Sequence, residues 1–344
     1  MIITRRTALT GLATTALAGP ARSQAANDLI LRRPPRDNED RKWHALSQNG
    51  PYNPDPVPVV VPFGDAKVTI HKPLGPKKAR LVVFSHSTLG DPRVYRHLLQ
   101  HWASHGFVVV APAHDDSVFE QGLLTRRASP VGSAIWEVDR VLNDALAWDS
   151  RAEACRIPLE HPDIVSKAIG IELDIERPII MGHEFGAYVA QIMMGATVLD
   201  AQGKALRFAD PRWYAAGLMA PQGAGIMGLT DESWSQVTRP LMVFQGAQES
   251  DFLGQTPQQK IDPFQKSVAG NKHLAWFPTG ARNIYTAPRS GSQRQQDLTM
   301  FEDAKAISTA FIIAYANYDE EMFAKLGSDW PDRATAGRVV SRYR

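Results

Sequence analysis

Pro178-Ile179-Ile180-Met181-Gly182-His183-Glu184-Phe185-Gly186-Ala187 is the stretch that decides how this 344-residue chain folds. A short apolar run bounded by a turn signal reads as a strand buried on both faces. The apolar stretch after it, through Met194, reads as a helix. Gly182 and Gly186 flank the middle residue of the turn, as the glycines of a G-x-S-x-G elbow do. They relieve crowding where the chain reverses and leave that residue raised above the sheet. The residue raised in this chain is Glu184, not serine.

Outward from that turn, apolar runs alternate with helical patterns. Val57–Val61, Ala66–His71, Arg80–Ser85 and Phe107–Ala111 read as strands on one side of it, with a helix over about Val94–His105. Ala216–Ala220, Leu241–Phe244 and Leu274–Phe277 read as strands on the other, and Phe301, Ile307, Phe311 and Ala314 share one face of a late helix. The pattern predicts an α/β fold with a mostly parallel central sheet and helices on both faces. One domain over residues 57–320 follows, preceded by an irregular Pro-rich arm over 26–56 and followed by a tail over 321–344. The stretch Asp115–Pro130 has no periodicity and is expected to cross the carboxyl edge of the sheet as a loop, with Asp115 and Asp116 capping it.

Residues 1–25 hold Arg5, Arg6 and Arg22 with no acid, then a short apolar stretch and a small-residue site at Ser23-Gln24-Ala25. That layout predicts a signal peptide, and the paired arginines a twin-arginine one, with delivery to the periplasm or beyond. Losing three arginines turns the formal charge of +2 into −1. So neutral a body gives no electrostatic case for nucleic acid, and no stretch has the length of a membrane span. Cys155 is alone, which rules out an internal disulfide and leaves a buried, inert thiol as its expected state.

The segments Val83-Phe-Ser-His86-Ser87, Tyr95-Arg-His97-Leu98, Ser104-His105-Gly106-Phe-Val-Val-Val-Ala-Pro112 and Met181-Gly-His-Glu-Phe-Gly-Ala187 resemble the α/β-hydrolases. The likeness is to their dienelactone-hydrolase and platelet-activating-factor-acetylhydrolase-like branch. Ala220-Pro221-Gln222-Gly223, Arg239-Pro240-Leu241 up to Gly246, and Gly280-Ala281 extend it over roughly residues 57–315. It implies esterase ancestry with no cofactor. It places the nucleophile on Glu184, the acid on Glu249, and the base on Asn283, or on Arg282 under a one-residue shift. Neither of the last two is a base near neutral pH, and His273 precedes its strand, at the wrong end. The backbone amides of Ser87 and Phe185 correspond to the oxyanion hole.

Serine acts only when a neighbouring base takes its proton. An anion at the elbow, with the base position lost, predicts a pseudo-hydrolase that binds a small hydrophobic or ester-like ligand, or a protein partner whose identity stays open. The Glu184 carboxylate is then expected to turn back into the two amides, and Glu249 and Asp251 to be solvated loop carboxylates. The alternative is an active hydrolase of an ester, lactone, halide or epoxide working through Glu184 as nucleophile. A further reading joins His86, His114 and Glu184 as ligands of a divalent metal. Its plain counterpart keeps both histidines as structural or pocket residues, with no metal.

Overall fold

The computed structural model describes residues 38–117, 138, 141–249, 253–281, 284–287 and 294–344. The leader, most of the loop over Asp115–Pro130, and the positions of Asp251, Arg282 and Asn283 lie outside these residues. Before the sheet comes helix α1 (Asn38–Ser47). The strands that follow are β1 (Val59–Phe63), β2 (Ala66–His71), β3 (Lys78–Ser85) and, after helix α2 (Arg96–Ser104), β4 (Phe107–Ala113). Helices α3 (Ala145–Glu160) and α4 (Pro162–Ile169) lead to β5 (Glu172–His183) and helix α5 (Phe185–Met193). A two-stranded ribbon, β6 (Val198–Leu199) with β7 (Ala205–Leu206), precedes β8 (Ala215–Met219) and β9 (Leu241–Gly246). Helix α6 (Asp262–Lys266), β10 (Lys272–Phe277), helices α7 (Arg294–Asn317), α8 (Glu320–Leu326) and α9 (Trp330–Ala334), and β11 (Val340–Tyr343) complete the order.

The main sheet runs β1-β2-β4-β3-β5-β8-β9-β10-β11. Strands β4, β3, β5, β8, β9 and β10 are parallel to their neighbours, and antiparallel strands close both sides. This is the α/β-hydrolase fold. Because side chains alternate across a strand, one strand supplies two cores. Leu81, Val83, Val108, Val110, Ile180 and Val243 pack with residues of α3, α4 and α5. Val82, Phe84, Val109, Ile179, Met181 and Phe244 pack with residues of α1, α2 and α7. Strands buried on both faces need the near-continuous apolar runs seen in the sequence. The β3–β5 pairing shifts register between Arg80 and Val82, opposite the Glu176-Arg177-Pro178 stretch, where proline has no amide to donate.

Two boundaries differ from the sequence reading. The arm over 26–56 carries helix α1, whose Trp43 and Leu46 are buried in the second core; Trp43 donates its indole N–H to Asp303 at 2.9 Å. The tail over 321–344 is part of the sheet, since β11 pairs with β10 from Trp276↔Val340 to His273↔Tyr343. Both segments were too short and too polar to give a readable period, and their few apolar residues complete a surface formed elsewhere. Among the described residues no helix is long and apolar enough to cross a membrane.

Candidate active site

Strands β3, β4, β5 and β9 end on the same edge of the sheet, and their carboxyl ends deliver Ser85–Ser87, His114, Glu184 and Glu249 to it. At the elbow, Glu184 has φ 51° and ψ −113°, a region that costs a non-glycine residue about 1–3 kcal/mol. The glycines have the predicted work: a Cβ on Gly182 would collide with the Gly186 carbonyl, and one on Gly186 with the Ser85 carbonyl. Glu184 is 6 % exposed. Its amide donates to Met219 O at 2.9 Å, and its Oε1 lies 3.8 Å from Nε2 of the buried His183.

His183 packs beneath the turn between two tyrosine rings. Its Nδ1 is 2.7 Å from Tyr95 Oη, and the Tyr285 ring centroid is 5.0 Å away. Tyr95 Oη also donates to Ser87 Oγ at 2.9 Å and accepts from the Ser87 amide at 3.4 Å. The Ser87 donor therefore turns towards Tyr95, where the sequence predicts the Glu184 carboxylate. Burial first, then the Glu184 charge, raises the Tyr95 phenol above its usual value. Tyr285 donates to Phe244 O at 2.9 Å. Its phenol is pushed well up by burial and then by the charges of Glu249 and Glu184.

The loop that follows β3 is held by a buried arginine. Arg151, from α3, donates to His86 O at 2.7 Å and Ser87 O at 3.2 Å. It grips both Asp116 oxygens at 2.9 and 2.7 Å, and its guanidinium lies 4.3 Å from the Phe185 ring centroid. Asp116 Oδ2 accepts from the Leu89 amide at 2.9 Å. So one ion pair fixes both ends of His86–Leu89 and touches Phe185, the residue after the elbow, whose amide the likeness assigns to the oxyanion hole. Asp116 is thus a buried partner of Arg151, not the loop cap expected.

His86 Nε2 accepts from the His114 amide at 3.2 Å. That nitrogen carries no proton, so Nδ1 does, and Nδ1 donates to Ser87 O at 2.8 Å. Burial first, then the Arg151 charge, lowers His86 to about 4, so the ring is neutral. His114 Nε2 lies 2.8 Å from Ser85 Oγ, and burial pushes its value well down. The two rings sit 4.6 Å apart. Three of their four nitrogens are engaged within the protein, a structural use. Among the described residues no group of three or more His, Cys, Asp or Glu is placed to hold a metal.

At the acid position Glu249 is buried, not solvated. Oε1 accepts from Lys260 Nζ at 2.9 Å and Oε2 from Gln245 Nε2 at 2.9 Å, and the Lys260 side chain is 1 % exposed. Burial raises the Glu249 carboxyl, against the opposing pull of Lys260. The base position, Asn283 or Arg282, lies outside the described residues. His273 stands at the amino end of β10 with Nε2 2.6 Å from Tyr315 Oη, away from this edge. Cys155 is buried, and burial lifts its thiol to about 12.

The sequence reading assigned no role to Arg151, Lys260, Gln245 or Tyr95. Only Arg151 had a signal, since it shares a helical stripe with Trp148, Ala152, Cys155 and Leu159. A cavity of about 580 Å³ lies on the same side of the sheet as α3, walled by Trp148, Leu199, Ile226, Met227, Leu229 and Leu253 together with Asn143, Asp200 and Thr230. Trp148 packs at a tilt against Tyr188 and Tyr188 against Phe185, with ring centroids 5.3 and 5.9 Å apart. Glu184 is not one of its walls.

No curated protein matches the chain. A family model described as Chlorophyllase matches residues 50–125, the stretch that holds β1 to β4, Tyr95 and the loop gripped by Arg151, and it ends before the elbow. With the sheet order, that match supports a place in the α/β-hydrolase superfamily and a hydrolase-like ancestry.

Proposed function

We propose that this protein is an exported binding protein of hydrolase ancestry, which holds a small hydrophobic or ester-like ligand without conventional Ser-His-Asp turnover. One observation carries the reading: where a triad has a hydroxyl and an acid free to orient a histidine, this site has the Glu184 carboxylate and a Glu249 committed to Lys260 and Gln245. The elbow side chain has no hydroxyl proton to give up, so the nucleophile and the charge pair of the triad are both absent from their usual places. The cavity beside Trp148 supports a small ligand, since its walls set Leu199, Ile226, Met227, Leu229 and Leu253 beside the polar Asn143, Asp200 and Thr230. The Arg5-Arg6 leader supports export.

The test is hydrolysis of p-nitrophenyl butyrate by the wild type, by Glu184→Ser and by Glu184→Ser with Asn283→His, each checked for a native thermal melt. The wild type and the single variant are expected to show no turnover above buffer, and the double variant a slow one. Wild-type turnover that disappears in both Glu184→Ala and His183→Gln would replace this reading with carboxylate-centred hydrolysis, in which the 3.8 Å contact is the working pair.

A further inference from the structure

The cavity beside Trp148 has walls of two kinds. Trp148 spends its indole N–H on Leu142 O at 2.7 Å, so it offers an occupant only its ring. Leu199, Ile226, Met227, Leu229 and Leu253 add aliphatic surface.

One wall is fixed before any ligand arrives. Gly225, Met227 and Gly228 have φ of 94°, 49° and 72°, so the loop passes three times through the left-handed region. For Met227, which is not glycine, that conformation is strained. The loop is tied down from two sides: Tyr188 donates to Met227 O at 2.7 Å, and the Leu199 amide to Gly228 O at 2.8 Å. Within it, the Gly225 amide donates to Leu229 O at 2.8 Å and the Leu229 amide to Ile226 O at 2.9 Å. The carbonyls of Ile226, Met227, Gly228 and Leu229 are thereby engaged within the protein, and side chains are what the loop has left to offer. A wall already ordered spares a ligand the cost of ordering it.

Asp200 decides which ligand. Among the described residues it is the one ionisable side chain in the lining. Its Oδ1 accepts from the amides of Gln202 and Lys204, at 3.0 and 2.8 Å, and caps the turn of the β6–β7 ribbon. Among the described residues its Oδ2 has no hydrogen bond and the carboxylate no ion pair. Thr230 and Asn143 contribute neutral polar groups to the same lining.

An anionic ligand would meet like charge here, with no counter-charge in the walls. A hydroxyl head would give Asp200 a neutral donor. An ammonium head gives the charge-assisted bond of an ion pair, which is stronger. Behind the head, aliphatic side chains and one ring face suit an alkyl body.

We propose that this cavity binds a primary alkylammonium ion, with its ammonium on Asp200 and its chain against Leu199, Ile226, Leu229 and Trp148. The proposal rests on the binding role given above and narrows its ligand to an amphiphile with a cationic head.

Isothermal titration of the full chain at neutral pH with hexylammonium, 1-hexanol and hexanoate holds the chain length and changes the head. Hexylammonium is expected to bind at least about tenfold more tightly than hexanol, with hexanoate the weakest. Asp200→Asn keeps an oxygen for the two turn amides and removes the charge. It is expected to bring hexylammonium to within about threefold of hexanol and to leave hexanol unmoved. Ile226→Trp, at a half-buried wall position, is expected to weaken hexylammonium and hexanol together by filling the space. A thermal melt checks that each variant is folded.

Hexanol or hexanoate bound as tightly as hexylammonium would overturn the proposal and leave the binding role standing. Hexylammonium affinity that Asp200→Asn or Ile226→Trp fails to move would overturn it as well. So would the lack of any heat with hexylammonium up to about 50 mM, well beyond millimolar dissociation. Turnover of p-nitrophenyl butyrate with the order of heads intact would sink the earlier reading and uphold this one.

Discussion

Two buried ion pairs stand on the carboxyl edge of the sheet, and burial pushes both carboxyls up while their partners answer it unequally. Asp116 is pushed up by burial, yet the charge and hydrogen bonds of Arg151 and the Leu89 amide outweigh it, and its carboxyl ends below the ordinary value. Glu249 is pushed up by burial as well, and Lys260 and Gln245 fail to bring it back, with the charge of Glu184 adding to the rise. The difference is geometric. Arg151 offers a planar fork to both Asp116 oxygens and still reaches two carbonyls, while Lys260 offers one point charge to one Glu249 oxygen. The first pair preserves the backbone shape of a hydrolase loop. The second occupies Glu249, the side chain that the likeness to hydrolases assigns as the acid. The backbone shape of the loop is held by the first pair, and on the proposed reading the second is where the ancestral chemistry was given up.

The largest expected effect separates the pairs directly. Lys260→Met leaves Glu249 buried beside Glu184 without its cation and should cost about 3–5 kcal/mol. Arg151→Met should cost at least that much, because it also strands Asp116 and the carbonyls of His86 and Ser87. The double variants sharpen the contrast. Lys260→Met with Glu249→Leu should recover most of the loss, since an apolar pair of similar volume can replace a buried ion pair. Arg151→Met with Asp116→Leu should not, because the two carbonyls and the Leu89 amide lose their partners whatever fills the space. Urea unfolding of the four variants measures this, and equal recovery in both doubles would erase the distinction between the pairs.

A smaller effect follows from pH. His86 has a folded value of about 4 against an ordinary 6.5. Between those values the unfolded chain takes up a proton that the folded chain refuses, so this stability is complete above about 6.5 and is lost as pH falls towards 4. At 1.36 kcal/mol per pH unit, His86 alone accounts for about 3 kcal/mol. Asp116 has the same sign at lower pH: its contribution is present above the ordinary carboxyl value and is lost as pH falls through its depressed one. Glu249 has the opposite sign, because its raised value makes acid protonation relieve a cost. Urea midpoints between pH 7.5 and 4.5 should therefore fall with pH in the wild type and fall less steeply in His86→Gln. A wild-type midpoint that is flat over this range would contradict a buried, neutral His86.

The sheet was legible because strands buried on both faces must be apolar throughout, as Leu81-Val82-Val83-Phe84 and Phe107-Val-Val-Val110 are. The elbow was legible because two close approaches demand glycine at Gly182 and Gly186. Lys260 was not, since Gln258-Gln259-Lys260 reads as a solvated polar run and only the partner across the loop explains its burial. Helix α1 was hidden for a related reason: its apolar signal reduces to Trp43 and Leu46 with little flanking hydrophobicity. Tyr95 lies within the likeness, but its bond to His183 joins residues 88 positions apart and leaves no local trace.

The smallest effect tests what holds Glu184 in its place. At φ 51° and ψ −113° a glycine would carry none of the strain. Glu184→Gly also removes a carboxylate buried near Glu249. Against these gains stand the greater chain entropy of glycine when unfolded, about 0.5–1 kcal/mol, and the loss of the contact with His183 at 3.8 Å. The strain, about 1–3 kcal/mol, is the larger quantity, so the variant should be more stable than the wild type by about 1 kcal/mol in urea unfolding at pH 7. A residue that costs stability where it stands would fit the proposed binding role better than a structural one. If Glu184→Gly is instead less stable, the carboxylate is a strut between the elbow and His183, and its survival needs no ligand to explain it.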